Sequence, residues 1–213
     1  FPYDLRNIAR RAGAYRGETE IADKSLWGPE FEFYVFDGVA YENRMNAAAY
    51  RVDSVEADWN SQEMGSGYTI PRHGGYHAIP PQDHLYNLRS KITVHLERMG
   101  VEVKYHHHEV GGPGQCEIET PLLSLMKAAD AAFIIKYVTR MAAFELDMTA
   151  TFMPKPLYGE AGSGMHFHQH IWKGDENLFY DAEGYGTLSE LGRYYIGGLL
   201  QHGAAVMAFT NPS

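Results

Sequence analysis

Stretches with helical spacing of apolar residues alternate along the chain with short aromatic or β-branched runs. Leu5, Ile8, Ala9 and Ala12 share one helical face over residues 4–15, and Asp4 is placed to cap that helix. Residues 26–36 form an aromatic run that includes Val35, and they predict a strand closed by the turn pair Asp37-Gly38. Residues 58–76 are polar and carry Gly65, Gly67, Gly74 and Gly75 without phosphate-loop spacing, so a long loop is expected. After Pro80-Pro81, the spacing of Leu85, Leu88, Ile92 and Leu96 predicts a helix over 83–99, ended by Gly100. Strands are expected at 101–110 and 115–120, on either side of a glycine and proline turn at 111–114. Residues 124–148 predict one long helix with Met126, Phe133, Ile134 and Val138 on its apolar face. An extended piece at 151–156 with proline breakers, a strand at 162–172 and a turn-rich connection at 175–186 follow. Thr187-Leu188-Ser189-Glu190 fits a capping box for a last helix reaching about residue 208. Strands fall in neighbouring pairs with helices between the pairs. Strict βαβ alternation is missing, so the pattern predicts an α+β fold with a largely antiparallel sheet in one domain, without internal repeat or linker.

Composition narrows the function. Apolar residues make up 45% and charged residues 21%, ordinary values for a globular chain of 213 residues. Eighteen Lys and Arg against 27 Asp and Glu leave a net charge of −9. That balance argues against general nucleic-acid binding, which needs a basic footprint, and suits a site that gathers carboxylates around cations. A single cysteine, Cys116, permits no internal disulfide, so a reducing, cytoplasmic setting is expected. No apolar run approaches the roughly 20 residues of a membrane helix, and no signal peptide is visible. The chain starts on Phe1 and stops at Ser213 just after a helical pattern, so both ends are expected to be cut from something longer.

Three short segments carry candidate chemistry. Glu30 and Glu32 are two apart on the aromatic strand and share a face. Two such carboxylates need Arg, Lys or a cation nearby if they are buried, whereas a solvated strand edge needs neither. Glu109 and Glu117 flank the glycine turn eight residues apart. A loop with an odd number of residues puts both on one face, an even loop does not, and the turn permits either. His106, His107 and His108 precede Glu109 and read as structural histidines at a sheet end. The sharpest feature is the run from Gly162 through His166, His168 and His170, which places three imidazoles on one strand face behind a glycine-rich approach. Four glutamates and a histidine on neighbouring strands could hold two divalent ions, with Mg²⁺ or Mn²⁺ favoured by the oxygen-rich set. Paired ions suit phosphoryl transfer from a nucleotide.

The motifs GPEFEFYVFD, HHHEVGGPGQCEIE, TATFMPKP, GSGMHFHQHIW and LSELGRYYIGGLLQH…FTNPS, in this order across nearly the whole chain, resemble glutamine synthetase of the bacterial type. The resemblance implies the first part of that family's catalytic domain, with a curved, mainly antiparallel sheet and flanking helices. Residues 1–213 would be a single partial domain, incomplete at its C-terminus and lacking the family's N-terminal β-grasp domain. It implies ATP-dependent ligation of ammonia to the γ-carboxylate of L-glutamate through a γ-glutamyl phosphate. Carried over by motif, Glu32, Glu109 and Glu117 would hold the first of two cations. Glu30 and His166 would help hold the second, with a further glutamate beyond Ser213. His168 would meet the ATP phosphates as a catalytic group, Gly162 would contact substrate glutamate through its backbone, and Lys104 and His170 would lie by the nucleotide. The family also implies a ring-type homododecamer whose sites are closed by a neighbouring subunit, so the 213-residue piece by itself is expected not to form glutamine.

Two positions depart from the family pattern. Ala161 stands where Asn is usual before Gly-Ser-Gly-Met-His, and His170 stands where Ser is frequent. A same-fold ligase joining glutamate to another amine is therefore the alternative. A zinc hydrolase built on His166 and His168 leaves the four glutamates without a role. A structural relative without turnover conflicts with the intact ligand set.

Overall fold

The aromatic run forms the longest strand, β1 (Lys24–Phe36), and the main sheet is built around it. The computed structural model describes residues 4–60 and 67–211; the part of the expected long loop that includes Gly65 lies outside these. In chain order the elements are α1 (Leu5–Glu18), β1, β2 (Gly38–Arg44), β3 (Ala47–Asp53), α2 (Tyr86–Arg98), β4 (Tyr105–His108), β5 (Gln115–Glu119), β6 (Leu123–Ser124), α3 (Leu125–Phe144), β7 (Thr149–Thr151), β8 (Phe167–Lys173), β9 (Glu176–Asn177), α4 (Glu190–Gln201) and α5 (Gly203–Thr210). The expected α+β class with a mainly antiparallel sheet is the fold observed. Among the described residues no helix is long and apolar enough to cross a membrane. The chain divides into two compact units, one of residues 4–27, 122–129 and 168–211, the other of 28–121 and 130–167.

In the larger unit, β5 lies between β4 and β1, and β7 pairs with the end of β1, all antiparallel. The β1–β5 register sets Glu30 opposite Glu119, Glu32 opposite Glu117 and Tyr34 opposite Gln115. Alternation then sends Phe31, Phe33, Cys116 and Ile118 to the other face, where all four are buried. The side chain of Arg89 on α2 reaches Cys116 and His106 on that face. The predicted α2 stripe is correct: Leu85, Leu88, Ile92 and Leu96 are all buried. In α3 the helix is where the pattern put it, but the buried line is Ala131, Ile135, Val138 and Ala142, and Phe133 is exposed. Apart from Lys127, Asp130, Lys136 and Arg140 the positions of that helix are apolar or small, so spacing alone does not select a face. The strand expected over 101–110 is shorter, and only Tyr105–His108 forms the ladder. Residues 38–53 fold as a separate, largely exposed hairpin of β2 and β3, which the pattern did not announce.

In the smaller unit, α1 is capped as expected, with Asp4 accepting from the Arg6 amide at 3.1 Å. Ile8 and Ala12 on its apolar face are exposed. Arg16 clamps the chain that follows α1 through the Asp23 carbonyl at 2.7 Å and Ser25 Oγ at 3.0 Å. β6 pairs with the start of β1, and β8 with β9 closes a hairpin through Gly174, whose φ of +57° suits glycine. The strand expected over 162–172 starts at Phe167.

The last helix is two, α4 and α5, which meet at His202. Its cap also differs from expectation. Thr187 closes a 3₁₀ turn with φ of +58°, and Ser189 is the cap, accepting from the Gly192 amide at 3.0 Å and donating to the Leu178 carbonyl at 2.6 Å. Replacing Ser189 by alanine is expected to destabilise this unit by about 1 kcal/mol, whereas Thr187→Ala costs less. Chemical denaturation of both variants checks this, and equal losses would show that Thr187 shares the capping.

Candidate functional site

The ladder registers decide what the sequence left open. His107 lies opposite Glu117, and the Glu109 amide donates to the Gln115 carbonyl at 2.9 Å, so five residues, 110–114, form the connection. An odd connection keeps Glu109 and Glu117 on one face. Combined with the β1–β5 register, the same face carries Glu30, Glu32 and Tyr34 from β1 and Gln115, Glu117 and Glu119 from β5. β4 and the residue after it add Tyr105, His107 and Glu109. Residues 164–166 run beside β1: the Glu30 amide donates to the His166 carbonyl at 3.0 Å, and the Glu32 amide to the Gly164 carbonyl at 3.3 Å. His166 Nδ1 thereby comes within 3.1 Å of Glu30 Oε2 and 3.5 Å of Glu32 Oε1.

Of the sequence-expected residues, Glu30, Glu32, Glu109, Glu117 and His166 are brought together. Gly162 lies nearby through Gln115, whose Nε2 donates to its carbonyl at 2.9 Å and to Glu32 Oε2 at 3.3 Å. Lys104 contacts Glu119, with Nζ at 2.9 Å from Oε2 and its amide 2.8 Å from the Glu119 carbonyl. His168 and His170 belong to β8 in the smaller unit, where His168 is exposed. The His170 ring lies 6.3 Å from that of Trp172, and its buried Nδ1 has no hydrogen-bond partner among the described residues.

Four participants were missed. Glu119 and Gln115 follow from applying to β5 the alternation already applied to Glu30 and Glu32. His107 follows from its spacing of two from Glu109, and Tyr34 from its spacing of two from Glu32. His107, Glu109 and Glu117 can each offer a ligand atom within 4.8 Å of the others.

The electrostatics are those of crowded carboxylates. Glu32, Glu117 and Glu119 are buried. Burial pushes the Glu32 carboxyl above its ordinary range, and repulsion from Glu117 and Glu30 adds to this, against the Gly164 amide and His166. Burial likewise raises Glu109, with Glu32 and Glu117 contributing and the Val110 amide opposing. His107 is raised chiefly by its hydrogen bond to Glu117. For Glu119 burial works in the opposite sense, but hydrogen bonds from Tyr105 and Lys104 prevail and hold its carboxyl low. Five carboxylates therefore face three basic side chains, and Glu32 and Glu109 ionise at a cost. A divalent cation removes that cost, and this mostly carboxylate set with imidazole at its border fits Mg²⁺ or Mn²⁺.

The fold and this face define a mainly antiparallel α+β chain with a cluster of carboxylates whose chemistry suits a divalent cation. The family model described as "Glutamine synthetase, catalytic domain" matches residues 2–213, and the chain belongs to that family. It is 48% identical over 212 residues to glutamine synthetase of Streptomyces coelicolor, covering 99% of this chain and 45% of the relative. It is 49% identical over 214 residues to that of Frankia alni, with the same coverage. Among solved structures, the Plasmodium falciparum glutamine synthetase superposes with a TM-score of 0.87 at 28% identity, covering 98% of this chain and 42% of that one. The chain thus spans about 45% of the length of the curated relatives it matches.

Proposed function

We propose that the full-length protein is a glutamate–ammonia ligase that joins ammonia to the γ-carboxylate of L-glutamate at the expense of ATP. The observation that carries this reading is the single sheet face that gathers Glu30, Glu32, Glu109 and Glu117 with His166 at its border, in a chain of the glutamine synthetase family.

Glu32, Glu109 and Glu117 would hold one divalent cation, and Glu30 and His166 would contribute to a second. Bound cations would supply charge neutralisation for the triphosphate and orientation of its γ-phosphoryl group. The reaction balances in two displacements. A γ-carboxylate oxygen of glutamate attacks the γ-phosphorus and the bond to ADP breaks, giving a γ-glutamyl phosphate. Ammonia then attacks the acyl carbon, the C–O bond to phosphate breaks, and loss of a proton leaves the amide. His168 is assigned to the transferring phosphoryl group, where a charged imidazole stabilises developing negative charge. The Gly162 backbone is assigned to substrate glutamate, and Lys104 and His170 to the nucleotide side. We further propose that residues 1–213 form one partial catalytic domain that needs the rest of the protein and neighbouring subunits of a ring for turnover.

The second reading, a ligase for another amine, rests on Ala161. Its methyl offers no hydrogen bond to a substrate, and its carbonyl is taken by the Tyr34 hydroxyl at 2.6 Å. Phosphate release from ATP by the full-length protein with Mg²⁺ and glutamate separates the readings. A strong dependence on ammonia supports glutamine synthesis. A preference for short amines moves the assignment to the other ligase, and release with neither overturns both.

A further inference from the structure

The segment 154–164 has almost no regular structure of its own, yet side chains hold five of its carbonyls. Tyr50 on β3 donates to Pro156 at 2.5 Å, Arg72 Nε to Gly159 at 2.9 Å, Lys155 to Glu160, Tyr34 on β1 to Ala161 at 2.6 Å and Gln115 on β5 to Gly162 at 2.9 Å. A backbone run fixed by hydrogen bonds from several elements is rigid without a strand ladder, and it delivers the Gly164 amide to Glu32 Oε2 at 2.9 Å.

Gln115 occupies the centre of this arrangement. It is fully buried. Its Oε1 accepts from the Gly111 amide at 2.6 Å, and its Nε2 donates to the Gly162 carbonyl and to Glu32 Oε2. Gly111 N–H can only donate and the Gly162 carbonyl can only accept, so the amide has one possible orientation. Two donors, from Gln115 and Gly164, therefore occupy Glu32 Oε2 and leave Oε1 turned toward His166. One side chain thus touches the turn between Glu109 and Glu117, a proposed cation carboxylate and the proposed substrate-contacting backbone.

We infer that Gln115 is a positioning residue that locks the cation-holding carboxylate of Glu32 to the backbone at Gly162, and that Tyr34 positions the same segment independently of the cation. The inference rests on the ligase reading above. Because Glu32 and Gly162 are fixed through one amide, losing that amide disturbs cation and glutamate binding together. Losing the Tyr34 hydroxyl frees only the Ala161 carbonyl and disturbs glutamate alone.

The test uses the full-length protein with Gln115→Met, which keeps the volume and removes the amide, and Tyr34→Phe. Mn²⁺ affinity, glutamate KM, kcat and thermal midpoint are measured for each. Gln115→Met is expected to weaken Mn²⁺ binding and to raise glutamate KM, each about tenfold. Tyr34→Phe is expected to raise glutamate KM several-fold at wild-type Mn²⁺ affinity. Should Gln115→Met fail to fold, Gln115→Glu keeps the acceptor for Gly111 and loses the donor, and its glutamate KM is expected to rise equally. Lower thermal midpoints with wild-type KM and Mn²⁺ affinity in the folded variants would reduce both residues to packing and overturn the inference. A wild-type protein that binds Mn²⁺ but forms no glutamine would instead overturn the ligase reading on which it stands.

Discussion

Replacing Glu32 by glutamine is expected to lower glutamine formation by the full-length protein by a factor on the order of 1000 or more, and to raise the melting temperature of its metal-free form. The two effects have one cause. Glu32 lies opposite Glu117 in the ladder and is buried, and burial with the repulsion of its acidic neighbours raises its pKa above the reference of 4.5. A carboxyl whose pKa is raised on folding binds protons more readily in the native state. Its favourable contribution is complete below pH 4.5 and is lost as pH rises through the raised value. At neutral pH the ionised group therefore weighs against the metal-free fold. Glutamine is neutral at every pH and keeps an oxygen for the Gly164 amide, so the variant escapes the penalty, and it also loses the charge a cation needs. Melts in chelator should show the variant ahead of wild type at neutral pH and the gap closing towards pH 4.5. Mn²⁺ should raise the wild-type melt strongly and the variant's weakly. A variant that melts lower at every pH, or that turns over normally, would contradict this account.

The largest loss of stability is expected from Asp83→Ala. Asp83 and Arg89 are almost wholly buried, with Arg89 Nη1 at 3.0 Å from Oδ1 and Nη2 at 2.5 Å from Oδ2. Asp83 Oδ1 also accepts from the Leu85 amide at 3.1 Å, at the start of α2. Burial acts against the guanidinium charge, but Asp83 and the Cys116 sulphur prevail and keep it protonated. Removing Asp83 strands a buried cation, at about 3–5 kcal/mol. For a unit of this size that is a fall in melting temperature of about 10 °C. Asp83→Asn combined with Arg89→Met removes both charges, and it should melt above Asp83→Ala because no unpaired ion remains. Calorimetry of the three proteins decides, and a double variant as unstable as the single would show that packing, not charge, carries the pair.

Much of this was readable in the amino-acid order, for physical reasons. β1 announced itself because aromatic residues and Val35, which favour strands, crowd into one run. α2 did so because its buried leucines and isoleucine keep to one stripe. The β2–β3 hairpin did not, because Ala47, Ala48 and Ala49 are weak strand formers and the hairpin is exposed on both faces, which removes the alternation. The break between α4 and α5 at His202 carries no proline and only the following Gly203, so the apolar pattern runs through it. At the site, residue types were legible and registers were not. Glu109 and Glu117 could be nominated, but only the length of their connection places them on one face. Gln115 and Tyr34 are absent from any list of ligands, because their part is to hold backbone carbonyls.

The five-residue connection after Glu109 also makes the site sensitive to arithmetic. Parity, more than shape, is what it conserves. One added residue would turn Glu109 toward the side where Cys116 and Ile118 are packed, unless a bulge absorbed it, while two added residues would return it to the acidic side. Length variation at this corner should therefore be tolerated in steps of two. A single-residue insertion or deletion there would act like the loss of Glu109 from the acidic face, although the residue is still encoded.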